Sequence, residues 1–232
     1  MRKIIAIVIV SMFCVIGYAQ NNVEASAGVE VVSRCIWRGT SLGDASIQPT
    51  AGLSYKGISL SAWGSYDFLN TQSDKELDLT LSYSTGGFNI GITDYYLSHY
   101  GEENTYFEYR PDRTSHVWEA NIGYDFGPIA IQWFTNFAGD DGVNKDDKRA
   151  YSSYAEVSAP FKLADCDWLA TVGAVPYATD FYGVDGFAIT NISIRCTKDF
   201  TLSKKSFPVF VEGICNPNNK KGYLVVGTSV EL

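Results

Sequence analysis

Beyond residue 19 the chain has no apolar run approaching the roughly 20 residues that a transmembrane helix needs. Any passage through a bilayer would therefore use strands closed into a barrel, the other structure that satisfies every backbone group internally. Histidine is nearly absent, with His99 in a long loop and His116 at a strand start as the whole complement. Neither suggests an oriented nucleophile of the kind a hydrolase needs, and Ser98-His99 are merely sequence neighbours. No catalytic residue, metal or cofactor is expected. Positive charge is also in deficit: Lys and Arg number 18 against 26 Asp and Glu, a net charge of −8. That argues against nucleic acid or anionic lipid as a partner, since both want a basic face. Helix signals are scarce throughout.

Glycine (21), tyrosine (15) and phenylalanine (13) are plentiful, as in an exported all-β protein. Residues 1–19 read as a secretory signal peptide: Arg2 and Lys3 lead an apolar stretch from Ile4 to Ile16, and Gly17-Tyr18-Ala19 offers a small-residue cleavage site. Losing Arg2 and Lys3 deepens the net charge to −10. Residues 20–232 then form one β-domain placed in the outer membrane.

Twelve stretches alternate apolar and polar residues, the mark of strands with one wet and one greasy face. They are 28–38, 47–56, 58–68, 76–85, 88–97, 115–126, 129–138, 151–161, 168–177, 187–196, 207–215 and 222–232. Connectors are sorted. Lys56-Gly57, Thr85-Gly86-Gly87 and Gly127-Pro128 are tight turns, with 162–167 and 197–206 the longer members of that set. The alternate connectors 39–46, 69–75, 98–114, 139–150, 178–186 and 216–221 are generally longer and more polar. This predicts a closed antiparallel up-and-down transmembrane β-barrel of about 12 strands, turns on the periplasmic side and loops outside. A secreted soluble β-sandwich, with its apolar face inward, is the structural rival. Tyr66, Phe68, Tyr96, Trp37, Trp168, Tyr177 and Phe161 are candidates for the aromatic girdles of a barrel.

The segment Ser33-Arg34-Cys35-Ile36-Trp37-Arg38-Gly39-Thr40-Ser41, followed by Ile47-Gln48-Pro49 and Ala62-Trp63-Gly64-Ser65, resembles the opening of the TorF-type porin family. The distinctive likeness spans the first strands; Cys35 stands where that family's pattern has an aromatic. The resemblance implies an outer-membrane barrel with a channel role.

The polar parity supplies pore-lining acids Glu30, Asp67, Glu76, Asp78, Glu119, Glu156, Glu212 and Glu231, and bases Arg34, Arg38 and Arg195. The acid excess favours cations, because a narrow low-dielectric pore focuses the field of its wall charges. Equally, these charges can pair across a filled interior. Arg34 and Arg38, four apart on the first strand, are expected to face Asp67, Glu76 or Asp78 as a charged rung. The loop Asp140–Asp147 lacks calcium-loop spacing and reads as a solvated turn. The loop 98–114 mixes aromatics with charge and either enters the mouth or stays on the surface.

Cys35, Cys166, Cys196 and Cys215 follow the leader. Cys166 and Cys196 fall at one end of neighbouring strands and are a candidate disulfide. Cys196 and Cys215 are expected at opposite ends of theirs, roughly 30 Å apart at about 3.3 Å per residue. The leading functional expectation is a monomeric channel for passive diffusion of small hydrophilic solutes, seated in outer-membrane lipid. The alternatives are a non-conducting barrel that binds through its outer loops, or the soluble sandwich.

Overall fold

Period-two patterning dictates what the computed structural model shows: a chain of antiparallel strands, each apolar outward and polar inward. Described are residues 23–70, 72–101, 105–110, 113–202 and 205–231; the expected leader lies outside them. The strands are β1 (Val23–Val32), β2 (Cys35–Trp37), β3 (Thr40–Gly43), β4 (Ser46–Tyr55), β5 (Ile58–Asp67), β6 (Lys75–Thr85) and β7 (Phe88–Ser98). They continue with β8 (His116–Asp125), β9 (Ala130–Gly139), β10 (Ser153–Leu163), β11 (Cys166–Val175), β12 (Ala188–Leu202), β13 (Lys205–Asn216) and β14 (Lys221–Glu231). Strand β1 and strands β4 to β14 pair in sequence, and β1 pairs with both β4 and β14 to close the barrel. This is a closed twelve-strand antiparallel barrel. The outer wall carries Leu60, Leu81, Ile122, Val172 and Ile194 about half exposed and Leu224 at 70%. Apolar exposure continuous around a wall is far beyond what a soluble monomer shows. A soluble sandwich would bury that face, so the arrangement overturns the rival.

Two short-side connectors are tighter than expected. Ala164 and Asp165 both take positive φ (54° and 56°) and close β10 onto β11 as a two-residue turn. Strand β12 runs on to Leu202 and β13 starts at Lys205, so the expected long connector 197–206 is mostly ladder.

The main departure is at the first strand. Strand β1 stops at Val32, and the expected stretch 28–38 divides into the end of β1 and a separate β2–β3 hairpin. Trp37 pairs with Thr40 across Arg38-Gly39, whose φ values of 49° and 82° make a turn with both central residues left-handed. Alternation alone does not distinguish a strand that continues from one that folds back. The hairpin lies inside the barrel. Near β4 and β5, Gln48 donates to the Cys35 sulfur at 3.3 Å and Asp67 accepts from the Asp44 amide at 2.7 Å. On the other side of β1, Asn216 of β13 donates to the Gly39 carbonyl at 3.1 Å. A Cβ on Gly39 would collide with the Thr190 carbonyl oxygen, so glycine is required for this close approach. Thr190 stands where β12 bulges against β11. Ile36 of the plug packs on Val32, Phe210, Ile214 and Val225, and a second apolar cluster, Tyr154, Val175 and Val184 with Phe134 and Tyr182, meets Trp37 through Tyr182.

Candidate functional site: the obstructed lumen

Strand β8 presents Glu119 inward, because Val117, Glu119 and Asn121 share the parity opposite Trp118, Ala120 and Ile122. Arg38 at the hairpin tip reaches it. Its two terminal nitrogens donate to the two Glu119 oxygens at 2.6 and 2.8 Å, a fork-to-fork pair. The side chains are 7% and 2% exposed. Tyr95 donates to the same carboxylate at 2.8 Å, and Arg38 also donates to the Tyr182 hydroxyl. Three rings surround the guanidinium carbon: Phe134 at 4.2 Å, Trp37 at 4.3 Å and Tyr154 at 4.7 Å. Trp37 in turn stacks on Tyr182 at 5.7 Å. Burial by itself would lower the Arg38 pKa, but the Glu119 carboxylate paired with it holds it above its ordinary value, so the charge persists. Burial likewise pushes the Tyr182 hydroxyl up, keeping it neutral.

The remaining sequence-derived residues are placed as follows. The expected rung of Arg34 and Arg38 against Asp67, Glu76 or Asp78 does not form. Arg34 pairs at 3.1 Å with exposed Asp44 beside the hairpin, because the chain leaves the wall after Val32. Asp67 is spent on the rim, accepting from the amides of Asp44, Leu69 and Asn70. Arg195 and Glu212 face each other across β12 and β13 at 2.8 Å, with the guanidinium over Phe210 at 4.0 Å. Glu156 accepts from Tyr154 at 2.9 Å. Glu76 and Asp78 stand two apart on the lumen face of β6, and Glu76 shares a cavity of about 70 Å³ with Cys35, Ser65 and Asp67. The Asp78 Oδ1 is buried with no hydrogen-bond partner. Glu30 and Glu231 lie on the inward parity of β1 and β14. Among the described residues, Glu30, Glu76, Asp78, Glu156 and Glu231 have no salt bridge.

Sequence reasoning missed Tyr95, Phe134, Tyr154 and Tyr182. The first three are alternation-compatible lumen residues, so only their aromatic character on a polar face marks them. Trp37, expected in a girdle, belongs to the cage instead. Phe161 and Trp168 do stack on the outer wall, 6.0 Å apart.

The described part of the loop after β7 stays out of the mouth and folds over the outer surface of the wall. His116, 0% exposed, bonds Asp94 at 2.7 Å through Nδ1 and the Tyr106 carbonyl at 2.6 Å through Nε2. Tyr106 and Tyr109 pack on its ring, and Tyr96 lies beneath. These residues sit on the outward parity of β7 and β8, so the loop straps the outside of the wall. Both ring nitrogens are occupied, leaving none to activate a nucleophile.

All four described cysteines are free. Cys196 opposes Trp168, two residues from Cys166, and the two thiols are within hydrogen-bonding reach on the outer face. Cys215 opposes Ile192, four residues along from Cys196's own partner Val211, or about 13 Å. The expected 30 Å is too long because β12 continues past Cys196, which is a mid-strand residue.

No family model matches the chain, and no curated protein resembles it at a significant level. A solved structure does. Salmonella typhi OmpF, in a complex with daunomycin, is similar at 11% identity and a TM-score of 0.39, over 91% of this chain and 98% of that one.

Proposed function

We propose that the protein is an outer-membrane, porin-like barrel for passive passage of small hydrophilic solutes, cation-leaning and held closed at its loop end by the β2–β3 hairpin. The observation that carries this reading is the union of an apolar outer wall with a charged inner one. Arg38 and Arg195 neutralise Glu119 and Glu212, and Glu30, Glu156 and Glu231 remain to bias the lumen toward cations. The signal-like leader and the TorF-type opening motif support the outer membrane, in a Gram-negative envelope, as the location. Among the described residues the outer wall shows no polar face demanding a second copy, which supports a monomer.

The caged ion pair also favours a second reading, a barrel that does not conduct and acts through its loops. Planar-bilayer recording of refolded protein in a salt gradient separates the two. Discrete steps with a cation-selective reversal potential are expected. A folded protein that gives no steps, even after the hairpin is released, would establish the second reading instead.

A further inference from the structure

We propose that the ring cage around Arg38 is a binding site for small guanidinium solutes, occupied in the described state by the chain's own guanidinium. This deepens the channel reading by naming a solute class, but it concerns binding and is testable without conductance. Apart from Trp37, which the hairpin itself brings, the site's walls belong to the barrel and its loops, whereas its occupant comes from a hairpin tip. Phe134 (β9), Tyr154 (β10), Glu119 (β8), Tyr95 (β7) and Tyr182 are all supplied from outside the hairpin.

The geometry selects a planar fork rather than a point charge. Two parallel N–H donors meet two carboxylate oxygens at 2.6 and 2.8 Å, and aromatic faces cover the plane. An ammonium would use one such bond and forfeit the stacking.

The tip itself needs no cage to hold its shape: Arg38 at φ = 49° repeats the two-residue turn that Lys56 makes at φ = 50° between β4 and β5. The hairpin thus behaves as a tethered competitor. A solute's guanidinium that replaces Arg38 removes the tip's main anchor and favours the open lumen. Because the competitor is intramolecular, its effective concentration is on the order of millimolar, and only abundant solutes displace it in the unaltered protein.

The test uses refolded full-length barrel in detergent. Arg38→Ala removes the side chain beyond Cβ, and ethylguanidine restores the missing atoms. Calorimetry should show Arg38→Ala binding ethylguanidine at least about tenfold more tightly than wild type does. Ethylamine should bind at least about tenfold more weakly than ethylguanidine, and adding Glu119→Gln should remove the binding. Folded Arg38→Ala, verified by heat-modifiable gel migration, that fails to bind ethylguanidine or treats both ligands alike overturns the proposal. If Arg38→Ala does not fold, wild type carries the test. Agmatine at tens of millimolar should accelerate thiol labelling of Cys35, which rides on the hairpin and is 6% exposed. An unchanged labelling rate overturns the proposal. Conductance tests the channel reading separately, so either can fail alone.

Discussion

Arg38 and Glu119, 81 residues apart in sequence, are joined by two short hydrogen bonds within a shell of aromatic rings. The pair links the tip of an inserted hairpin to the far wall of the barrel. A buried ion pair contributes little net stability, but removing one partner leaves a desolvated charge and costs about 3–5 kcal/mol. Here that cost falls on hairpin docking, since the barrel ladder is independent of it.

Glu119→Gln should therefore undock the hairpin without unfolding the barrel. In bilayer recordings the open probability or unit conductance should rise, with heat-modifiable migration unchanged. Wild-type behaviour in a folded variant would show that the pair does not hold the plug.

Gly39→Ala should give the same phenotype by a route that leaves every charge in place. An added Cβ meets the Thr190 carbonyl, and the residue must also adopt φ = 82°. Left-handed geometry alone costs about 1–2 kcal/mol for a non-glycine residue. Substituting alanine at exposed Gly101, with the same φ but open space around it, is the control.

How far these features were legible differs by level. Strand count, parity and the sorting of turns from loops could be read because alternation is local, and β6 shows it most plainly, with Leu77, Leu79 and Leu81 set against Glu76, Asp78 and Thr80. The hairpin was hidden because Cys35 and Trp37 continue the alternation of β1, and only the Arg38-Gly39 turn breaks it. The partner of Glu119 was illegible for the same reason. Parity puts a carboxylate in the lumen but says nothing of which inserted segment arrives there. Parity also puts His116 on the outer face, yet its burial comes from a loop folding back, which no pattern within β8 encodes.

Cys35 should report hairpin movement through its thiol chemistry. Burial pushes its pKa up to about 11, from an ordinary value near 9.0. The reactive species is the thiolate, so below pH 9 a rise of this size leaves about 100-fold less of it. Maleimide labelling should thus climb with pH up to about 11 rather than level off near 9. In Glu119→Gln the plateau should return toward 9 as the hairpin leaves its site. A wild-type plateau near 9 would count against the buried placement.

His116→Ala should release the loop strap from the outer wall. The substitution strips Asp94 and the Tyr106 carbonyl of their shared partner, a loss of about 1–3 kcal/mol for buried groups. Protease treatment of intact cells should then cleave within 99–115 faster than in wild type, while single-channel conductance stays the same. A conductance change would place the loop in the permeation path, contrary to its position outside the barrel.

Glu156 and Glu231 should set the sign of selectivity. They stand on the inward parity of β10 and β14 and have no salt bridge among the described residues. Unpaired wall charges in a narrow passage create potentials of a few kT, which suffices for several-fold enrichment of monovalent cations. Glu119 and Glu212 are neutralised by Arg38 and Arg195, so they contribute little to this field while the hairpin is docked. Glu156→Gln with Glu231→Gln should accordingly move the reversal potential in a KCl gradient toward zero. Arg195→Gln with Glu212→Gln, which removes a neutral pair, should leave it nearly unchanged. Equal shifts from the two double changes would mean that the lumen field does not follow the pairing seen here.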